Sequence, residues 1–351
     1  MAGVYISYPF CAQKCTYCNF ASGVYSKETQ ERYLDTLERE IRAVEWPWTP
    51  ETLYVGGGTP ASMDRILDLI PGRPWREATM EAAPGQLPAA FPLGINRVSL
   101  GVQSFVEREL RRTGRRHNAA VVERDVAALR SMGIDEINID LIAGLPGQTK
   151  ESLCESLDWI ERLAVPHVSV YMLEIDGDSR LGQEILAGGS RYGAAEAPSE
   201  DETAEFYEIA VERLRHCGLA RYEISNFARP GHESLHNLKY WRLEPYLGFG
   251  ADAHSFDGRL RWQNVETVEE YIARPNPRLD STPACEREER FFIGLRLSEG
   301  VAPSAEEWEH WRKPLDEFLS MGLLERAGER VRLTPRGVLV SNEVFAEFIH
   351  D

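Results

Sequence analysis

Three cysteines, Cys11, Cys15 and Cys18, lie in the stretch Tyr5-Ile-Ser-Tyr-Pro-Phe-Cys-Ala-Gln-Lys-Cys-Thr-Tyr-Cys-Asn-Phe20, spaced C-x3-C-x2-C. Closely spaced thiolates are the ligand set of iron–sulfur clusters. A [4Fe–4S] cube holds four irons, so three local cysteines leave one iron open to chelate a small molecule. Zinc motifs usually pair two short ligand units, and no second unit follows here. A disulfide suits the motif poorly, because three is an odd number and intracellular thiols stay reduced. Free structural cysteines are the plain alternative, and the spacing is far more specific than a lone C-x-x-C. The other cysteines, Cys154, Cys217 and Cys285, have no ligand partners at useful spacing and read as buried small hydrophobes.

Stepping outward along the chain, strand-like runs are expected at 4–7, 52–55, 78–81, 97–100, 136–140, 167–172 and 221–224. In parallel βα folds, ligands bind beyond the carboxyl ends of the strands. The first run leads into the cysteine loop. The second is followed by Gly56-Gly57-Gly58-Thr59-Pro60, where backbone can approach a ligand with no Cβ in the way. The third ends in Glu81, the fourth leads to Gln103 with Arg115 in the loop region beyond, and the fifth ends in Asp140. Each alone reads as a cap or a solvated loop residue. Together, on the edge that carries the cysteine loop, they offer acceptors for an amine and hydroxyls and a cation for a carboxylate.

Helical periodicity falls between these runs, at 28–44 (Tyr33, Leu34, Leu37, Ile41, Val44), 119–132, 150–163 and 200–217. Repeated βα units predict an α/β fold with a parallel sheet, and six or seven units suit a partial barrel over 1–225. Residues 188–198 read as a mobile small-residue loop. A connecting segment spans 226–282. Beyond 283 the pattern changes to helix 314–321 ended by Gly322, a hairpin of 323–326 with 330–334, and a last helix after Pro335. This predicts a small α+β winged-helix-like domain over 283–351. That domain holds nine Lys/Arg against fourteen Asp/Glu, the wrong sign for DNA phosphates, so a packing or lid role is expected.

The chain has 351 residues, is 43% apolar and carries a net charge of −17. The core is therefore ample, and broad nucleic-acid or anionic-membrane binding is disfavoured. No apolar run reaches membrane-span length and the N-terminus lacks a signal pattern, so a cytoplasmic location is expected.

These motifs together resemble the radical SAM superfamily, and within it the HemN/HemW group, over roughly 3–340. The resemblance implies a partial (β/α)6-type radical SAM barrel and S-adenosylmethionine (SAM) bound to the open iron of a [4Fe–4S] cluster. Tyr5, Tyr17, Gly57, Gly58, Thr59, Glu81, Gln103, Arg115 and Asp140 match SAM-contacting positions of the family. The coproporphyrinogen oxidase branch is similar to C-x3-C-x2-C-x-C, whereas Phe20 occupies the fourth-cysteine position here. His236-Asn237-Leu-Lys-Tyr240-Trp241 matches the H-N-x-x-Y-W signature of the heme-chaperone branch. Imidazole is a common axial heme ligand and aromatic rings stack on porphyrin faces. By themselves these residues read as a buried hydrogen-bonded histidine with core aromatics; His254 is a second ligand candidate, and the remaining histidines read as surface or turn residues. There are departures from the family: Ser7 replaces a frequent histidine, Asp252 replaces a small residue, and 61–77 and 85–94 are short, with Pro84, Pro88 and Pro92 leaving little room for a helix.

The function implied is heme binding and delivery to a membrane-bound respiratory acceptor protein, with no nucleic-acid partner and with a homodimer left open. The alternative is oxygen-independent coproporphyrinogen III oxidase, a radical SAM decarboxylation. Whether the chain is an enzyme stays open between the two. A radical SAM enzyme acting on RNA is disfavoured by the acidic C-terminal unit, and a binding protein with a purely structural cluster is the bland option.

Overall fold

The computed structural model describes residues 2–58, 60 and 63–349. Six strands run parallel in chain order: β1 (Gly3–Ser7), β2 (Thr52–Gly56), β3 (Glu77–Ala82), β4 (Arg97–Gln103), β5 (Glu136–Ala143) and β6 (His167–Met172). Side chains alternate faces along a strand, and here the alternation is also one of polarity. Val4, Ile6, Leu53, Val55, Val98, Leu100, Ile137, Ile139, Val168 and Val170 join the buried apolar core. Their neighbours, among them Tyr5, Tyr54, Glu81, Ser99, Asn138, Asp140 and Ser169, form the opposite, polar face. The expected partial (β/α)6 barrel is therefore the observed fold, with a polar concave interior.

The helices form where the periodicity places them. Lys27–Arg42 starts at Ser26, whose side chain accepts from the Thr29 amide, and buries Tyr33, Leu34, Leu37 and Ile41. Lys150–Leu163 and Glu200–His216 each begin with a capping box, on Thr149/Ser152 and Ser199/Glu202. Ala119–Ser131 completes the set. The second and third units are trimmed as expected. Among the described residues, the single turn Asp64–Leu67 is the only helix between β2 and β3, and none of the residues between β3 and β4 is helical.

Three expectations are corrected. The run at 221–224 is an antiparallel pair, β7 (Ala220–Arg221) with β8 (Asn226–Ala228), which adds to the β6 edge. The segment 226–282 joins the sheet: β9 (Tyr246–Phe249) lies parallel to β1, and β10 (His254–Phe256), β11 (Leu260–Gln263) and β12 (Thr282–Pro283) extend it antiparallel. The loop at 188–198 contains a 3-10 turn, Arg191–Glu196, tied down by an Arg112–Glu196 ion pair of 2.7 Å.

The C-terminal unit follows the expected order. Helix Arg312–Ser320 ends at Gly322 (φ +68°), β13 (Leu324–Ala327) and β14 (Arg330–Leu333) form the hairpin, and Pro335–Leu339 and Ser341–Ala346 close it. Phe291, Trp311 and Phe348 form its aromatic centre. Among the described residues, no helix is long and apolar enough to cross a membrane.

The helix Leu235–Trp241 plugs the amino-terminal end of the barrel. Buried Glu77, at the start of β3, accepts from the Leu235 and His236 amides (both 2.8 Å) and from Ser234 Oγ (3.2 Å). Buried Lys239 on the same helix pairs with Glu51 at 2.8 Å and Glu244 at 3.0 Å. Removing one carboxylate would strand three donors, two of them backbone amides at a helix start. Glu77→Ala is expected to cost roughly 3 kcal/mol of stability, read as a lowered denaturant midpoint; an unchanged midpoint would deny the plug its anchor.

Candidate cofactor site

The carboxyl ends of β1 to β6 surround a cavity of about 610 Å³, within the usual range for small-molecule sites. Cys11, Cys15 and Cys18 all line it, on a loop that the protein itself holds in place. The Cys11 amide donates to the Gly23 carbonyl at 2.9 Å, and the Thr16 amide to the Thr113 carbonyl at 3.2 Å. The Leu181 amide donates to the Thr16 carbonyl at 2.8 Å. Burial pushes the Cys11 thiol up, opposed by a hydrogen bond from Ser22. Three thiols on one loop lining one cavity, which Arg115 also lines, fit the donor set of a three-cysteine cluster.

Gly57 and Gly58 bring β2 against this loop. Gly57 has φ +101°, and a Cβ at Gly58 would lie 2.4 Å from the Phe10 carbonyl oxygen and 2.6 Å from that of Tyr8. The glycine run thus serves a backbone-to-backbone approach as well as the cavity wall.

Beneath the loop, Glu81 accepts from the Gly57 amide at 2.9 Å and from the Tyr54 hydroxyl at 3.0 Å. Burial, then the neighbouring Asp140, raise its pKa to about 7. Asp140 accepts from Ser99 Oγ at 2.9 Å and Asn138 Nδ2 at 2.7 Å, and burial raises its pKa too. Arg115 Nε donates to the Tyr17 hydroxyl at 3.0 Å and its Nη1 to the Gly101 carbonyl at 2.5 Å. Gln103, at φ +70°, completes the wall. The cavity thus sets two half-buried carboxylates against one half-buried guanidinium, a complement to a ligand bearing both an amine and a carboxylate.

Of the residues matched to SAM contacts, Tyr17, Gly57, Gly58, Glu81, Gln103, Arg115 and Asp140 line this cavity together. Thr59 lies outside the described residues. Tyr5 does not line the cavity and stacks on Tyr54 one layer below, at 6.1 Å between ring centroids.

The residues expected to hold heme lie apart from this cavity. His236 is buried at the opposite end of the barrel. Its Nδ1 pairs with Thr52 Oγ1 at 2.9 Å and its Nε2 with the Tyr240 hydroxyl at 2.8 Å, so both ring nitrogens are engaged. Burial, then Lys239, lower its pKa to about 3. Trp241 lies under the Arg296 guanidinium at 4.4 Å, and Asn237 lies on the same half-buried plug helix. His236, Asn237, Tyr240 and Trp241 lie together on this one helix, His236 buried and the other three partly exposed. His254 is exposed on β10, which lies between β9 and β11, and does not line the cavity. His167, expected at the surface, is buried, with Nδ1 on Asn138 at 2.7 Å and Nε2 on Tyr222 at 2.9 Å. Cys154 and Cys217 are only half-buried and Cys285 is exposed.

Sequence reasoning missed Tyr54, Ser99, Asn138, Tyr171 and His117. Tyr171 and His117 line the cavity directly; His117 donates from Nε2 to the Val102 carbonyl at 3.1 Å, and burial holds it neutral with a pKa near 4. The period-two polarity of the strands would have found all but His117.

Residues 5–160 match the model of the radical SAM superfamily, and 282–340 match the HemN C-terminal domain. The chain is 34% identical to "Heme chaperone HemW" of Bacillus subtilis over 99% of both chains. It is 30% identical to the protein of the same name from Escherichia coli, over 99% of this chain and 97% of that one. The chain belongs to the HemW family of radical SAM proteins. The chain is also 30% identical to the mouse "Radical S-adenosyl methionine domain-containing protein 1, mitochondrial", over 92% of this chain and 81% of that protein. The fold matches that of E. coli coproporphyrinogen III oxidase (HemN) with a TM-score of 0.79 over 99% of this chain and 89% of that one, at 21% identity.

Glu81 gives a pH test of the site. Its folded pKa lies above the ordinary carboxylate value, so between about pH 4.5 and 7 the folded state binds more protons than the unfolded one. Stability of the ligand-free protein is expected to fall as pH rises through that window, and Glu81→Gln to flatten the fall. Thermal melts of both proteins from pH 5 to 8 provide the comparison, and parallel curves would contradict it.

Proposed function

We propose that this chain is a heme chaperone of the HemW type, holding a [4Fe–4S] cluster on Cys11, Cys15 and Cys18 with SAM beside it. The carrying observation is the convergence of those cysteines with Glu81, Asp140, Gln103 and Arg115 on one cavity, in a chain aligned end to end with heme chaperones. When bound, a cluster of this kind supplies one-electron chemistry at its open iron. The residues do the rest. Glu81 and Asp140 accept from the ligand's amine and hydroxyls. Arg115, positioned by Tyr17 and Gly101, supplies the cation for its carboxylate. Gly57 and Gly58 let the backbone approach, and Thr59 matches a SAM-contacting position by family resemblance.

Heme, on this reading, is cargo delivered to a membrane-bound respiratory acceptor from the cytoplasm. The division into a barrel (1–225), a connecting segment that extends its sheet (226–282) and a HemN-type C-terminal unit (283–351) belongs to the same proposal. Phe20 at the fourth-cysteine position favours the chaperone over porphyrinogen decarboxylation.

Anaerobically reconstituted protein is expected to bind about one cluster, to bind SAM and to take up heme. Replacing all three motif cysteines by serine should abolish iron and SAM binding and leave the fold intact, since backbone hydrogen bonds anchor the loop. Iron quantification, SAM-binding calorimetry, heme titration and circular dichroism read these outcomes. Robust release of carbon dioxide from coproporphyrinogen III would remove the chaperone role as the main one.

A further inference from the structure

A buried donor without an acceptor costs free energy in any folded chain, and few native chains carry several at one junction. Where the C-terminal unit meets the helix Leu235–Trp241 there are three: Trp241 Nε1, Arg296 Nε and Ser298 Oγ are buried with no hydrogen-bond partner among the described residues. The Arg296 guanidinium lies over the Trp241 ring, 4.4 Å from its centroid. Ser298 follows two residues later, its amide donating to the Tyr222 carbonyl at 2.9 Å. The Tyr222 hydroxyl accepts from the amide of Ser234, which caps the same helix, at 3.2 Å. An indole N–H and a guanidinium N–H can only donate, so the stacked pair cannot satisfy itself. The other cations of the helix are taken. Lys239 is buried between Glu51 and Glu244, and Arg242 pairs with Glu299 at 3.4 Å. Arg296 gives Nη2 to buried Glu223 at 3.4 Å and keeps its Nε edge.

We propose that Arg296 Nε, Trp241 Nε1 and Ser298 Oγ together bind one carboxylate of the heme cargo. This rests on the reading that the chain carries heme on the motif from His236 to Trp241. Heme bears two carboxylates, and a chain of net charge −17 repels such an anion over most of its surface. A local cation with a free donor edge, set against an aromatic ring of the motif, offsets that repulsion at one place. The two oxygens of a carboxylate have lone pairs enough for both N–H groups and the hydroxyl. An ion pair that ties the helix end to this segment, Arg242 with Glu299, is about half-exposed on both sides and so holds weakly, which leaves a way in. The acidic C-terminal unit thereby gains a task beyond packing, because two of the three donors belong to it.

The test is a pair of titrations on the full-length cluster-loaded protein, with heme and with heme dimethyl ester, whose carboxylates are blocked. The parent is expected to bind heme at least about tenfold more tightly than the ester, the usual worth of a hydrogen bond to a charged group. Trp241→Phe keeps the ring and removes the indole N–H, and Ser298→Ala removes the hydroxyl. Arg296→Lys keeps a cation for Glu223 without a donor at the Nε position. Each should narrow the gap between heme and ester by about fivefold. Thermal melts without heme separate this from a structural role. Removing an unsatisfied donor leaves the fold as stable or more so, so Trp241→Phe and Ser298→Ala should melt at or above the parent temperature. A clear drop in both would show that trapped water satisfies these groups for the sake of the fold, and would overturn the assignment. A parent that binds neither compound overturns the chaperone reading along with it. Equal affinities of the parent for heme and ester, or an unchanged gap in Trp241→Phe and Ser298→Ala, overturn the carboxylate site alone.

Discussion

A β-strand cannot hide one face without presenting the other, and the whole site depends on which residues were given to which face. In β1 to β6 the aliphatic residues face the helices, so the polar ones line the concave side. Buried polar groups must be partnered, and here they partner one another. Asn138 donates to Ser99, Asp140 and Ser169, and Ser169 donates to Asn226. This ladder runs from β4 across to β8. At the carboxyl edge it ends in Asp140, and beside it Glu81 is held by Gly57 and Tyr54. The carboxylates at the cavity are thus the exposed end of a network whose other members are satisfied within the protein.

The electrostatics follow from that position. Two carboxylates share a buried region with one guanidinium, and burial favours their neutral forms. A ligand that brings an ammonium group to them would relieve the repulsion between Glu81 and Asp140. Net charge over the chain is strongly negative, yet the cavity mouth carries Lys14, Arg116 and Arg180. Composition alone describes the average surface and is silent about this reversal.

Much of this was legible from residue types. The cysteine spacing, the glycine run, and the polar residues closing successive strands identified one sheet edge, and Tyr17, Gly57, Gly58, Glu81, Gln103, Arg115 and Asp140 do meet there. Each was readable because position after a strand fixes position in a parallel fold. What the residue types did not place has a different cause. Tyr5 and His236 belong to recognised motifs, but depth along the barrel decides what they touch: Tyr5 is one layer too low, and His236 is at the far end. The 226–282 segment looked like a connector because its strands are three and four residues long with one of only two, and pairing with β1 was a tertiary choice that local pattern does not encode. His167 looked like a surface residue because nothing nearby in the chain announces Asn138 and Tyr222 as partners.

The anchoring of the cysteine loop has a consequence for how such a molecule is assembled. Because Gly58 touches the Phe10 and Tyr8 carbonyls, and because the loop is tied to segments as distant as Thr113 and Leu181, its shape belongs to the polypeptide rather than to the iron. The newly made chain can therefore finish folding first and offer its maturation apparatus a cradle already in position. Losing the metal to oxygen would then empty the cradle without dismantling it, leaving a molecule ready to be refilled.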